Sequence, residues 1–436
     1  MARPATRAGR QAQIAGLLLS ALLGACAYQG EPPGGPPRTT PPAILRTVPE
    51  SGAVRPDLKG DAIVAFDEVI DEMPGTRGVA GAITGLAQKI VLSPVSGNVK
   101  VSWHRTAIHI APEEGWKPNR VYHLQVLPGI SDLRRNVMKR GTTVVFSTGP
   151  ALPSAALSGT VLLWVEQRLL PQAVIRAAPL PDTIAYVTLS DSAGDFQLPA
   201  IPPGRYRVWA IEDQNNNRHQ DRREAFDTVT VTVDSSAHVL LWPFVHDTLG
   251  PRVRTVDPVD SVTLRIAFSA PLDPRRAPDT AAVRMFALPD TTPVAVRAVY
   301  TPARFDSIQA RVRALADSLK RLRDTTARRD TAARPGAPPP AQRPPAGAAA
   351  RRDTATAKVD TARLRQLLSR RPVPYDRLVV QTVPVLTPGA KYLVRVRSAT
   401  NLSGAAADGQ GVLVVPIPKP VARDTTKARL PPRPPP

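Results

Sequence analysis

Ala62-Ile-Val-Ala-Phe66, Lys100-Val-Ser-Trp103, Ala107-Ile-His-Ile110, Val121-Tyr-His-Leu-Gln-Val126 and Thr142-Thr-Val-Val-Phe146 decide the fold. Each is a short run in which apolar side chains recur at every second position, with turn-forming residues between the runs. A period of two puts one set of side chains on one face of a strand, so the pattern predicts a half-buried antiparallel sheet. Several such runs in close succession predict an all-β sandwich from Ile44 to Gly149. The pattern continues through Leu157-Ser-Gly-Thr-Val-Leu-Leu-Trp164, Ala185-Tyr-Val-Thr-Leu189, Gly194-Asp-Phe-Gln-Leu198 and Ile201-Pro-Pro-Gly-Arg-Tyr-Arg-Val-Trp-Ala-Ile211. There Gly194 and Gly204 supply turn dihedrals, and Phe196 and Tyr206 point to a core. A third unit echoes the first. Thr248-Leu-Gly-Pro-Arg-Val-Arg-Thr-Val-Asp-Pro258 with Leu264-Arg-Ile-Ala-Phe268 repeats its entry, and Leu386-Thr-Pro-Gly-Ala-Lys-Tyr392 with Val412-Leu-Val-Val415 repeats its exit.

Two stretches carry family resemblances. Thr40-Pro-Pro-Ala-Ile-Leu-Arg-Thr-Val-Pro-Glu-Ser-Gly-Ala53, Ile63-Val-Ala-Phe-Asp-Glu-Val-Ile70, Trp116-Lys-Pro-Asn-Arg-Val-Tyr122 and Val145-Phe-Ser-Thr-Gly149 resemble the bacterial Ig-like domain of the S-layer (SbsA) type. That resemblance implies core positions at Phe66 and Tyr122. The Gly-x-Phe and Pro-Pro-Gly-x-Tyr arrangement around Phe196 and Tyr206 resembles carboxypeptidase-regulatory-like, transthyretin-like sandwiches, which implies a module without catalysis. The predicted fold class is all-β: tandem sandwiches (Ig-like, transthyretin-like, second divergent Ig-like) with a partly helical, partly disordered insertion. The predicted boundaries are 43–149, 150–247, and 248–302 joined to 374–418, with the insertion at 303–373.

That insertion holds 17 basic against 6 acidic residues, in a chain whose 57 Lys and Arg against 36 Asp and Glu give a net +21. A nucleic-acid binder interleaves such charge with aromatics or a recognised motif; here Phe305 stands alone, and nucleic acid is not an expected partner. The charge reads as a solvated arm or as one drawn to acidic lipid or polysaccharide. Phe305, Ile308, Val312, Leu315, Leu319 and Leu322 follow 3-4-3-4-3 spacing, one stripe of a helix. Three readings of the stripe stay open: packing on its own domain, a partner-binding or dimerising helix, and a membrane-surface helix. A Pro/Ala/Gly segment from Ala333 to Ala350 follows, then a weaker helical piece from about Thr356 to Ser369.

Arg3, Arg7 and Arg10 precede Ile14-Ala-Gly-Leu-Leu-Leu-Ser-Ala-Leu-Leu-Gly-Ala25 and the single cysteine, Cys26. A basic n-region, an apolar run well short of the ~20 residues of a membrane span, and small residues at the cut describe a secretory leader over 1–25. Leu23-Gly24-Ala25-Cys26 resembles the lipobox of bacterial lipoproteins. The resemblance implies acylation of Cys26, a membrane partner held through that lipid, and, with Ala27 in place of Asp, sorting to the outer membrane. No other thiol remains for a disulfide, metal or nucleophile. Residues 26–42 read as a Pro/Gly tether and 419–436 as a disordered Pro/Arg tail.

Only one loop has ligand spacing. Asp213, Asn215, Asn217, Asp221 and Glu224 stand at positions 1, 3, 5, 9 and 12, the oxygen pattern of a calcium loop. Arg218 occupies the sixth position, where the tight turn favours Gly, and a strand precedes the loop. A structural calcium and a polar loop held by its own Asx hydrogen bonds both remain open. Asp67, Glu68 and Asp71 form an acidic turn that is either solvated or cation-binding. The six histidines lack ligand spacing, and no nucleophile elbow or phosphate loop occurs, so an enzyme is not expected. The sequence reading is an exported envelope lipoprotein, structural or adhesive, with an envelope protein or polysaccharide as partner. The other reading is a carbohydrate-binding accessory, which needs exposed aromatic platforms; Trp103, Trp116, Trp164, Trp209 and Trp242 are the available tryptophans, mostly placed on strands.

Overall fold

The computed structural model describes residues 39–73, 85–149, 151–329 and 362–417, with only the backbone course for 322–329. Cys26, the tether up to residue 38, the Ala333–Ala350 segment, residues 356–361 and the tail lie outside the described residues. The all-β reading holds. Three sandwiches follow one another, each closing on its own apolar cluster.

In the first sandwich, one sheet runs in the order Ile44–Val48, Ala62–Phe66, Ala107–Pro112, Val99–Trp103, and the other Ile90–Ser93, Val121–Val126, Thr142–Ser147. Alternation sends Val64, Phe66, Ile108, Ile110, Tyr122, Leu124 and Phe146 inward. The Tyr122 hydroxyl stays satisfied by accepting from the Lys117 N–H at 2.8 Å.

The second sandwich pairs a sheet ordered Tyr186–Leu189, Val174–Pro179, Gly204–Ile211, Ala225–Val233, Phe244–Val245 with a second ordered Asp195–Ile201, Ala155–Leu163, Ser236–Leu241. Its last long strand, Ser236–Leu241, runs parallel to its first, Ala155–Leu163. Gly194 turns at φ +74, where an added Cβ would meet the Val161 carbonyl, which is why glycine stands there. Phe196 and Tyr206 are buried, and the Tyr206 hydroxyl donates to the Pro202 carbonyl at 2.6 Å.

The third sandwich repeats the first strand for strand. Val253–Pro258, Thr263–Leu272, Tyr375–Thr382 and Val296–Tyr300 form one sheet in the same relative order; Val283–Leu288, Lys391–Thr400 and Ala406–Val414 form the other, extended by Thr292–Val294. Local chemistry repeats as well. The Tyr392 hydroxyl accepts from the Thr387 N–H, as Tyr122 does from Lys117. An isolated bridge joins Leu272 to Asn401 where the first sandwich joins Ile70 to Asp132. The insertion leaves between two paired strands, Val296–Tyr300 and Tyr375–Thr382, at the hairpin position that Trp103 and Ala107 flank in the first unit. Helix α1 (Pro302–Arg329) opens with Thr301 accepting from the Arg304 N–H and with Pro302 just inside, a capping residue followed by a proline. A short helix α2 (362–368) closes the insertion.

Candidate functional site

The chemistry of this chain gathers where sandwiches meet. Strands Ile90–Ser93 and Val121–Val126 are buried on both faces. Their inward side chains fill the first core, and their outward ones, Ser93, His123 and Gln125, face the second sandwich. Ser93 Oγ accepts from the Val187 N–H at 2.9 Å and donates to the Val187 carbonyl at 3.3 Å, acting as a one-atom strand partner. Thr188 Oγ1 donates to Gln125 Oε1 at 3.3 Å. His123 is fully buried, with Nε2 3.5 Å from the Ala200 carbonyl, its ring 5.1 Å from Tyr186, and no partner for Nδ1. Burial pulls its pKa from 6.5 to about 4, so the ring is neutral at physiological pH.

The Asp213–Glu224 loop joins strands Gly204–Ile211 and Ala225–Val233 and lands on the same seam. All five residues with ligand spacing are brought together. Asp213 accepts from the N–H groups of Asn217 and Arg218; Asn215 and Asn217 donate side-chain amides to Asp221 Oδ2 at 2.6 and 3.0 Å; buried Glu224 accepts from the N–H groups of Gln214 and Asp221. The loop's oxygens thus converge and are satisfied by the loop's own donors. Among the described residues, no three His, Cys, Asp or Glu side chains form a metal cluster. The donor set, carboxylates with Asn amides that present oxygen once rotated, suits a hard cation.

Arg218 resolves the anomaly at the sixth position. It takes the left-handed turn, φ +57, that glycine would take, and its guanidinium reaches across to the first sandwich. Nη1 donates to the Ile90 carbonyl and Nη2 to the Gln88 carbonyl, both at 2.6 Å. Burial lowers its pKa to about 10, against the opposing pull of Asp213, and it stays charged at neutral pH. Beside this clamp opens a cleft of about 1130 Å³, lined by groups of both signs that include Lys89, Lys139, Asp191 and the Arg168–Glu212 pair.

A second junction carries the insertion's exit. Leu163 and Leu241 point into the second core, so Leu162, Trp164, Leu240 and Trp242 face outward. Leu364, Leu367 and Leu368 of α2, with Leu402 of the third sandwich, cover them. The Trp164 indole N–H donates to the Pro372 carbonyl at 2.9 Å, and the Arg371 guanidinium stacks 3.4 Å over the Trp164 ring. Arg363 pairs with Asp195 at 2.6 Å; burial alone would raise that carboxyl, but the bonds from Arg363 and Thr160 hold it below its usual range. Asn401 donates to the carbonyls of Asp247 and Leu249, tying the second linker down.

The remaining candidates are structural in their contacts. Asp67 accepts from the Ala43 N–H and Asp71 from the Met73 N–H, so the acidic turn caps backbone. Trp103 donates to the Ile70 carbonyl and Trp116 to that of Gly60; all five tryptophans are buried or half-buried. The helical stripe departs from packing on its own domain. Phe305 is buried, but Ile308, Val312, Leu315 and Leu319 are exposed, because α1 leaves the hairpin after its first turn. The two seams escaped the sequence reading, although one signal existed: outward-facing Leu162 and Leu240 on strands whose other face was already apolar, each followed just past the strand end by a tryptophan, Trp164 and Trp242.

Residues 38–148 match the bacterial Ig-like domain family. The match covers the first sandwich from its entry to its last strand. Solved structures similar to the chain include the N-terminal part of the bacterial S-layer protein SbsC (11% identity, 38% of this chain and 24% of that one, TM-score 0.21). Others are BcpA, the major pilin subunit of Bacillus cereus (10% identity, 47% of this chain and 71% of that one, TM-score 0.17), and the Bacillus anthracis TIE protein (10% identity, 64% and 51%, TM-score 0.16). No curated protein matches. No helix among the described residues is long and apolar enough to cross a membrane.

Proposed function

We propose that this chain is a non-catalytic scaffold of the bacterial cell envelope, structural or adhesive, held to the outer membrane by a lipid on Cys26. The observation that carries the reading is the locking of consecutive sandwiches. Ser93, Gln125 and Arg218 fasten the first to the second, and Trp164, Arg371 and Asn401 fasten the second to the insertion and the third. Polar groups that bond across a seam hold one relative orientation, which an arm presenting a surface at a distance needs and a flexible string of domains does not. The bacterial Ig-like match of the first sandwich agrees with a structural role. The middle sandwich is taken, within this proposal, as carboxypeptidase-regulatory-like. A structural calcium in the Asp213–Glu224 loop belongs to it too, with Asp213, Asn215, Asn217, Asp221 and Glu224 as its holders and stiffening of the seam as its effect.

The test has two arms. Cys26→Ser either releases the protein from the detergent phase or leaves its leader uncleaved; a variant that is cleaved and still partitions into detergent like the native protein refutes the anchor. The purified chain binds isolated envelopes saturably and liberates no soluble sugar or peptide fragment; such release refutes the non-catalytic role.

A further inference from the structure

We propose that α1 pairs with α1 of a second copy of this chain, forming a two-stranded coiled coil that joins two arms side by side. The helix spans Pro302–Arg329, about 42 Å at 1.5 Å per residue. Among the described residues it packs on its domain at its base, through Phe305 near Tyr300 and Arg304 over the Tyr300 ring. Beyond that turn, Ile308 is 36%, Val312 54%, Leu315 66% and Leu319 61% exposed. A row of large apolar side chains standing in water along a projecting helix calls for a cover.

The shape of the row selects the occupant. With Val312 and Leu319 at a, and Ile308, Leu315 and Leu322 at d, the apolar residues fill only the a and d positions of a heptad. The flanking e and g positions are Gln309, Arg311, Ala316, Ser318, Arg323 and Thr325. So narrow a seam fits one partner helix, whereas a membrane-surface helix needs a broad apolar face rich in aromatics. At the middle of the seam Val312 at a with Leu315 at d favours two strands, while Leu319 at a and Ile308 at d do not select that number, so the pairing rests on the narrowness of the seam. Charge agrees. In a parallel pair, g meets the following e of the partner, which sets Arg311 against Ala316 and Ser318 against Arg323; an antiparallel pair sets g against g and e against e, Arg311 against Ser318 with Gln309 against Ala316 in one register and Arg311 against Thr325 with Gln309 against Arg323 in the next. Neither arrangement brings like charges together, so an identical helix is an admissible partner despite the basic character of the insertion.

The chain's own remaining segments do not supply the cover. Between 330 and 361 the only large apolar residue is Val359, and after 418 there are only Val421 and Leu430. The apolar run 14–23 belongs to the leader on the reading above. α2 already lies on Trp164 and Trp242.

The decisive experiment is sedimentation equilibrium of the mature chain with Cys26→Ser, from about 5 to about 500 μM. A short seam predicts a weak monomer–dimer equilibrium, with Kd of roughly 10–100 μM. The double variant Val312→Asp/Leu315→Asp weakens it at least about a hundredfold, because two charges enter each side of the seam. Both side chains are exposed, so circular dichroism of the β-domains stays unchanged and loss of folding does not confuse the result. A chain that remains monomeric across the range overturns the proposal. So does a dimer that the double variant leaves intact, or a monomer whose α1 is instead buried on vesicles of anionic phospholipid.

Discussion

Arg218 offers the sharpest perturbation. Replacing it by alanine removes two charge-assisted hydrogen bonds, to the Ile90 and Gln88 carbonyls, each 2.6 Å long. Such bonds contribute about 1.5–3 kcal/mol apiece, and desolvation of the guanidinium offsets part of that, leaving a loss of about 2–4 kcal/mol in the docking of the first two sandwiches. Replacing it by glycine removes the same bonds but relieves the φ +57 backbone. The relief is about 1–2 kcal/mol, less about 0.4–1 kcal/mol for the looser unfolded chain, so glycine sits about 0.5–1 kcal/mol above alanine.

The ordering, native above Arg218→Gly above Arg218→Ala, is the useful part, since it separates the clamp from the strain. Calorimetric unfolding reads the stabilities, and small-angle scattering reads whether the two sandwiches keep one orientation. The expected result is a drop in the first transition with a broadened pair-distance distribution for both variants. If both variants unfold like the native protein and scatter identically, the seam is held by apolar burial alone and the clamp has no role.

Three further outcomes follow from the same contacts. For His123, the folded pKa of about 4 lies below the usual 6.5, so the unfolded chain binds the extra proton between those values. The contribution of neutral His123 is therefore complete above about pH 6.5 and falls as the pH drops toward 4, with about 2 kcal/mol lost at pH 5; His123→Gln flattens that slope in urea titrations, and an unchanged slope contradicts the assignment. Trp164→Ala removes the platform under α2 and lowers stability by about 3–5 kcal/mol, whereas Arg371→Ala, which loses only the stacked cation, lowers it by about 1–2 kcal/mol; hydrogen exchange in residues 362–368 rises in both, and equal protection in all three proteins defeats the clasp. In calorimetry, calcium gives heat with the native loop and none with Asp213→Ala or Glu224→Gln; absence of heat at millimolar calcium with the native protein leaves the loop to its own hydrogen bonds.

How far the sequence could be read depends on where each residue's partners lie along the chain. Phe66, Tyr122, Phe196 and Tyr206 were legible because alternation within a strand fixes which face is buried, and a strand's face does not depend on distant sequence. The repeat of the first unit in the third was legible for a related reason: Tyr122 and Tyr392 each bond five residues upstream, a local motif that survives divergence. The first seam was opaque. Nothing near His123 or Ser93 announces Ala200 or Val187, and the Arg218 contact spans more than a hundred residues. The α1 stripe shows the complementary limit. Its periodicity identified a helix with one apolar edge, but spacing cannot say whether that edge meets its own domain; the hairpin exit at Tyr300 decided against it.

Arg218 also explains why a calcium-loop spacing and an arginine coexist at a position that favours glycine. Were the loop only a cation holder, glycine would relieve the turn and leave the ligands untouched. Were it only a hairpin tip, five oxygen-bearing side chains would not need to converge. The two features are consistent if the loop's task is to aim Arg218: Asp213 bonds the Arg218 N–H at 2.8 Å and fixes the left-handed turn, while Asn215, Asn217, Asp221 and Glu224 brace the turn from the far side. On that view the polar loop is the mounting and the guanidinium is the bolt. Asp213→Ala should then loosen the first seam even in calcium-free buffer, by an amount close to that of Arg218→Ala. A variant that abolishes calcium heat yet leaves the seam as tight as in the native protein would separate the two roles and remove the coupling between them.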